Sequence, residues 1–140
     1  MQRPLIGVTG TPRTAALLAA VGFMAIAAFQ VALVLGAPLG RASWGGRHSG
    51  RLPAGFRVAS AFAVVVWMLA ALIVLARGGY ELSPVPDAPA RWGTWVLVGV
   101  MPLAALMNLA SPSRWERFLW GPVALILAVL CFLIARGPAP

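Results

Sequence analysis

The chain has 140 residues, of which 61% are hydrophobic and only 10% are charged, and its mean hydropathy is +0.88. A soluble domain is usually about 45–50% apolar and about 25% charged, so this composition excludes an ordinary water-soluble fold. The net charge of +8 comes entirely from arginine. These arginines are spread along the chain and form no single basic face, which argues against nucleic acid as a partner.

Four apolar stretches are long enough to cross the hydrocarbon core of a bilayer as helices, which takes about 20 residues each. They cover about residues 14–35, 58–76, 92–110 and 118–135. None alternates between apolar and polar residues, as the strands of a membrane β-barrel do. The sequence therefore predicts an all-α, polytopic membrane protein with four transmembrane helices, in which residues 1–140 form a single domain.

The first apolar stretch is longer than the roughly 7–15-residue core of a signal peptide, so it is predicted to be a spanning helix. Gln30 lies near its end, where the amide either bonds to another helix or lines a polar cavity. The interhelical bond is the favoured interpretation. Ala28, Ala32 and Gly36 recur at a spacing of four and predict the face on which this helix packs.

The polar stretch between the first two helices, residues 36–57, is called loop 1 and holds the only histidine of the chain, His48. A loop of this length without an obvious element is often functional. It offers an indole, a glycine pair that permits close backbone approach, and guanidinium groups that grip phosphate. The candidate binding residues are Trp44, Gly45, Gly46, Arg47 and Arg57. The alternative is a solvated basic loop that rests on anionic lipid.

The second and fourth helices end alike, in Arg-Gly pairs that begin at Arg77 and Arg136. Each arginine complements the helix dipole and is expected to reach the lipid headgroups. Pro53 precedes Arg77 by as many residues as Pro112 precedes Arg136. This spacing fits two helical hairpins related by an axis along the membrane normal. Apolar helices also align by chance, so the sequence leaves such an internal repeat open.

A second polar cluster surrounds the short connection between the third and fourth helices, called loop 3. Ser113 and Glu116 have the spacing of a capping box, in which each side chain bonds to the other residue's backbone N–H. Loops 1 and 3 lie on the same side of a four-helix bundle, so His48 and Glu116 are candidates for an acid–base pair. A plain helix cap is the favoured alternative. The candidate binding residues here are Asn108, Ser111, Arg117 and Trp120.

The two stretches WGGRHSGRLPAGFRVAS and NLASPSRWERFLWGP together resemble the paired signature of short four-helix bacterial membrane proteins of unknown function. The resemblance supplies no activity. It implies that residues from both stretches belong to one constellation, namely Trp44, Gly45, Gly46, Pro53, Arg57, Asn108, Ser111, Glu116, Arg117, Trp120 and Pro122.

These observations predict an accessory membrane protein that binds a lipid or a protein partner through a polar face formed by loops 1 and 3. Arg47, Arg57 and Arg117 are predicted to hold an anionic headgroup, while Trp44 and Trp120 set its depth in the membrane. A second copy of the chain or another membrane protein is a further predicted partner. The dense arginines of loops 1 and 3 predict that these loops face the cytoplasm from a cell membrane.

Two alternatives belong to other functional classes. The first is a small membrane enzyme acting on a lipid or isoprenoid, with His48 or Glu116 as the acid–base group. The second is a subunit of an oligomeric transporter or channel. No cofactor and no metal site is predicted, because Cys131 is the only cysteine and lies within an apolar stretch.

Overall fold

Four long helices dominate residues 10–138, the part of the chain that the computed structural model describes. They are α1 (Gly10–Val34), α2 (Ala54–Arg77), α3 (Asp87–Leu109) and α4 (Gly121–Arg136), and a π-helical segment, Glu116–Trp120, leads directly into α4. Counted with that segment, all four helices are long and apolar enough to cross a membrane. The predicted all-α fold with four helices long and apolar enough to span a membrane is confirmed.

The helices begin a few residues before the predicted apolar stretches, because the helical backbone continues into the polar residues beside them. α2 begins at Ala54 and not near residue 58, so the end of the predicted loop 1 is its first turn. From here on, loop 1 denotes residues 35–53 and loop 3 denotes residues 110–115. Loop 1 also holds two short 3₁₀ turns, Gly40–Ala42 and Trp44–Gly46, which the sequence analysis did not predict.

The bundle is closely packed because α1 presents small side chains to its neighbours. The buried residues of this helix are Ala15, Ala16, Ala19, Ala20, Phe23, Ala27 and Leu33. Ala28 is exposed and Ala32 is only half-buried, so the predicted packing face is wrong. An alanine-rich helix has several small-residue stripes with a spacing of four, and the spacing does not choose among them. Phe23 stacks on Trp67 in the middle of α2, with 5.7 Å between the ring centroids.

The outer surface of the bundle is covered by large apolar side chains. Phe62 is 71% exposed, Leu106 is 64% exposed and Ile126 is 60% exposed, one on each of three different helices. Soluble monomers rarely expose continuous apolar surface on this scale. In a bilayer the same side chains contact acyl chains, which are as apolar as they are.

Arg77 ties α2 to the end of α4 on the side of the bundle opposite loops 1 and 3. Its guanidinium donates to the backbone carbonyls of Ala135, Gly137 and Pro138, at 3.3, 2.6 and 2.8 Å. The prediction that Arg77 reaches the lipid headgroups is wrong, because its side chain is buried and satisfies carbonyls that the helix itself leaves unbonded. Arg136, by contrast, is exposed and lies over the ring of Phe132.

Candidate functional site

Loop 1 folds across one end of the bundle and is closed by a backbone bond from the Gly40 N–H to the Gly50 carbonyl, 2.9 Å long. At its centre three consecutive residues, Trp44, Gly45 and Gly46, have positive φ values of 50°, 81° and 69°. A left-handed backbone favours glycine, which explains why the pair Gly45 and Gly46 occurs here. A Cβ at Gly46 would lie 2.9 Å from the Cβ of Ser113, so loop 1 approaches loop 3 closely there.

Glu116 joins the two loops from a buried position at the beginning of the π-helical segment. Its Oε1 accepts the backbone N–H of Gly45 at 3.0 Å, and its Oε2 accepts the hydroxyl of Ser111. Nearby, the Ser113 hydroxyl donates to the carbonyl of Arg41 at 2.6 Å. Hydrogen bonds to a carboxylate are stronger than those between neutral groups, so Glu116 is the main polar link between loops 1 and 3.

The predicted capping box is only half formed. The Ser113 hydroxyl accepts the backbone N–H of Glu116 at 3.3 Å, as a helix cap does. In a complete capping box the Glu116 carboxylate would accept the backbone N–H of Ser113. Here that N–H donates to the Ser111 hydroxyl instead. The Glu116 carboxylate therefore bonds to Gly45 of loop 1 and to Ser111. The prediction that this carboxylate caps its own helix is wrong.

The π-helical geometry at Glu116–Trp120 also has a local cause. Pro122 has no N–H to donate to the preceding turn, and the backbone N–H of Gly121 reaches back to the carbonyl of Glu116. Such wide turns inside helices are frequent at functional sites.

The predicted anchoring tryptophans are held by hydrogen bonds to the protein. The indole N–H of Trp44 donates to the Ser60 hydroxyl at 3.1 Å, and that of Trp120 donates to the carbonyl of Ala42 at 3.2 Å. Trp120 also packs on Phe29 of α1, with 4.8 Å between the ring centroids. Both indoles are thereby fixed in orientation, and both line the cavity described below.

The arginines predicted to hold an anion are placed differently from one another. Arg57 donates from Nε and Nη2 to the carbonyl of Val34, at 2.9 and 2.7 Å, and so caps the end of α1. Arg117 donates to the carbonyl of Ser111 at 2.9 Å. Arg47 is exposed in loop 1. The structure does not bring these three guanidinium groups together around one point, and their role in anion binding stays a prediction.

His48 is half-buried and packs against Phe56 of α2, with 5.0 Å between the ring centroids. Its Nδ1 is buried and has no hydrogen-bond partner among residues 10–138. The hydrogen bonds of the Glu116 carboxylate go to Gly45 and Ser111. The sequence placed His48 and Glu116 at the same end of the bundle, and no hydrogen bond pairs their side chains in the described part of the chain.

A cavity of about 490 Å³ lies beneath loop 1, between the helices, and is partly open to the outside. Its size falls within the roughly 300–1,000 Å³ typical of small-molecule sites. The polar residues of its wall lie at the loop end of the bundle and are Gln30, Ser43, Asn108, Ser111 and Glu116. The deeper wall is apolar and includes Ile26, Trp67, Met101, Ala104 and Ala124.

Two polar atoms at this cavity are buried and have no hydrogen-bond partner among residues 10–138. They are Oε1 of Gln30 and Oγ of Ser43, and both residues belong to the cavity wall. Buried polar atoms in proteins are nearly always hydrogen-bonded, so these two atoms are places where a water molecule or a ligand in the cavity can bond. The Gln30 carbonyl makes no interhelical bond among residues 10–138, contrary to the favoured interpretation, and Gln30 lines the cavity, as the alternative predicted.

Ser43 and Ser113 were missed as site residues by sequence reasoning. Each is buried and lies where loop 1 meets loop 3. Serines in a polar loop carry little signal of their own, and only the S-x-x-E spacing singled out Ser113. Among residues 10–138, no group of three or more His, Cys, Asp or Glu side chains is placed to hold a metal ion.

A groove of about 490 Å³, also partly open to the outside, lies beside this cavity at the same end of the bundle. Phe29, Ala42 and Trp120 line both spaces, so they form the partition between the groove and the cavity. Arg41 and Ser49 lie at the loop side of the groove, and Leu119 lies lower along it.

Comparison of the chain with models of known families, with curated proteins and with solved structures finds no match. The resemblance to short four-helix bacterial membrane proteins stays a prediction. The function is therefore argued from the site alone.

Proposed function

We propose that this protein binds one membrane amphiphile in the cavity beneath loop 1. The observation that carries the proposal is the arrangement of the cavity wall, which is polar at the loop end and apolar toward the middle of the bundle. Glu116 and Ala124 lie about two helical turns apart along the π-helical segment and the first turn of α4. A molecule with a small polar head and a short apolar chain matches that arrangement.

The fixed surroundings of the cavity support this proposal. Trp44 and Trp120 are held by hydrogen bonds, and Glu116 holds loop 1, which contributes residues 42–45 to the cavity wall. A wall that is ordered before binding loses little conformational freedom when the ligand enters, and this raises affinity. The role is that of a binding or accessory protein, in which loops 1 and 3 together form the polar end of the site.

We also propose that loops 1 and 3 face the cytoplasm from a cell membrane. Five exposed arginines lie at their end of the bundle, namely Arg41, Arg47, Arg51, Arg114 and Arg117. At the opposite end of the described chain the exposed arginines are three, Arg13, Arg91 and Arg136. An excess of arginine is typical of cytoplasmic loops and attracts the anionic lipids of that leaflet.

The test is native mass spectrometry of the protein released gently from its membrane, with a cavity-filling variant beside a matched control. Ala104→Phe places a ring in the cavity, whereas Leu103→Phe changes the neighbouring, lipid-facing residue of α3. We expect the unchanged protein and Leu103→Phe to carry one reproducible amphiphile mass, and Ala104→Phe to lose it. Equal retention by both variants, or no retained molecule in any sample, would overturn the proposal.

A further inference from the structure

Resting on the proposed binding of an amphiphile, we propose that the cavity selects a head group that donates hydrogen bonds, an amine or a hydroxyl. It discriminates against phosphate, sulfate and carboxylate heads. This preference is the opposite of what the net charge of the chain suggests, because a charge of +8 would by itself favour anionic heads. It follows from the few polar atoms that the cavity wall presents.

The charge of the cavity wall comes from a single residue. Glu116 is the only ionisable side chain among the residues that line the cavity. A carboxylate has about four lone-pair sites, and only the Gly45 N–H and the Ser111 hydroxyl occupy those of Glu116 within the described chain. The remaining sites accept hydrogen bonds from a head group that carries N–H or O–H.

The side-chain carbonyl of Gln30 has the same preference. Oε1 of Gln30 is a carbonyl oxygen, which accepts hydrogen bonds and cannot donate them. It is buried without a partner in the described chain, and so is Oγ of Ser43, whose hydroxyl both donates and accepts and therefore fits either kind of head. A donor head placed between Gln30 and Glu116 satisfies acceptors that the protein leaves free.

Among the described residues, the cavity wall contains no cationic side chain that could pair with an anionic head group. Arg57 donates to the carbonyl of Val34, and Arg117 donates to that of Ser111. Neither arginine lines the cavity. An anion in the cavity would therefore lose its hydration and lie near the Glu116 carboxylate with no cation in the wall, which disfavours its binding.

The test uses four amphiphiles with the same dodecyl chain and different heads: a primary amine, an alcohol, a carboxylate and a trimethylammonium. The protein is incubated with an equal mixture, and each retained mass is measured by native mass spectrometry. We expect the amine and the alcohol to exceed the carboxylate at least tenfold. Retention of the carboxylate at their level would overturn the inference. Equal retention of the trimethylammonium and the amine would also overturn it, because that cation carries no donor.

Two variants locate the selection in named atoms. Gln30→Met removes an acceptor that has no partner among residues 10–138, so it should leave thermal stability unchanged and weaken the amine and the alcohol about tenfold. Glu116→Gln keeps the shape of the side chain and removes its charge, and it should weaken the amine more than the alcohol. Glu81→Gln is the matched control, because Glu81 is exposed in the connection between α2 and α3. An unchanged order of retention in Gln30→Met would contradict the assignment to Gln30.

Failure of this inference differs from failure of the proposed function. If none of the four molecules is retained above the level seen in Ala104→Phe, the cavity is not an amphiphile site, and both proposals are overturned. If all four are retained equally and Ala104→Phe loses them, only the selection of the head group is overturned.

Discussion

The backbone N–H of Gly45 donates to Oε1 of Glu116 across 3.0 Å, and this bond joins the centre of loop 1 to the beginning of the fourth helix. The two residues are far apart in the sequence, and their bond places the loop over the cavity. Loop 1 is therefore an ordered part of the cavity wall, held by a buried carboxylate and by the backbone conformation that the glycine pair permits.

Gly46→Ala is expected to detach loop 1 from loop 3. Alanine is strained at the φ of 69° found there, and its Cβ would lie 3.0 Å from the Arg41 carbonyl oxygen. We expect a loss of about 1–3 kcal/mol in the free energy of unfolding and a lower retention of the amphiphile. Thermal denaturation in detergent and native mass spectrometry measure the two effects. Gly99→Ala is the control, because a Cβ at Gly99 meets open space within a helix and should be neutral or slightly stabilising. Equal melting of both variants would contradict this account of loop 1.

Arg57→Gln separates a structural role of this arginine from a role in binding an anion. Two bonds to the Val34 carbonyl are lost, so we expect the free energy of unfolding to fall by about 1–3 kcal/mol. Thermal denaturation measures this change. The exposed Arg47 provides the control variant Arg47→Gln, which should melt like the unchanged protein. If Arg57→Gln melts normally and loses bound anionic lipid, the prediction that Arg57 holds an anion is the better account.

Arg77→Gln and Arg136→Gln compare the two arginines that the internal repeat would make equivalent. Arg77 is 8% exposed and satisfies three carbonyls at the end of α4, whereas Arg136 is exposed. We expect Arg77→Gln to cost about 2–4 kcal/mol of unfolding free energy, and Arg136→Gln to cost less than about 1 kcal/mol. Thermal denaturation of both variants in the same detergent checks the difference. Similar losses of unfolding free energy in the two variants would contradict the structural role assigned to the buried Arg77.

His48→Ala examines one of the two acid–base candidates. The ring packs on Phe56 and does not line the cavity, so we expect unchanged retention of the amphiphile. The lost ring contact should cost at most about 1 kcal/mol. Native mass spectrometry measures the retention. A tenfold loss of bound amphiphile, with melting unchanged, would return His48 to the site and favour an enzymatic role.

The sequence by itself determined that the protein has four helices able to span a membrane, and that loops 1 and 3 share one end of the bundle. Both follow from local properties. An apolar run of sufficient length must satisfy its own backbone by forming a helix in lipid, and the number of crossings assigns each loop to a side. Most candidate site residues, from Trp44 to Trp120, were found because polar side chains are rare in so apolar a chain.

Only the tertiary structure decided which partners these side chains have. Glu116 bonds to loop 1 and not in full to its own cap, Arg57 bonds to a carbonyl of α1, and α1 packs through Ala16 and Ala27 while Ala28 faces outward. These choices depend on how separate helices approach one another, and residue spacing within one helix carries no information about that approach. The cavity has the same origin, because its wall combines residues from all four helices and loop 1.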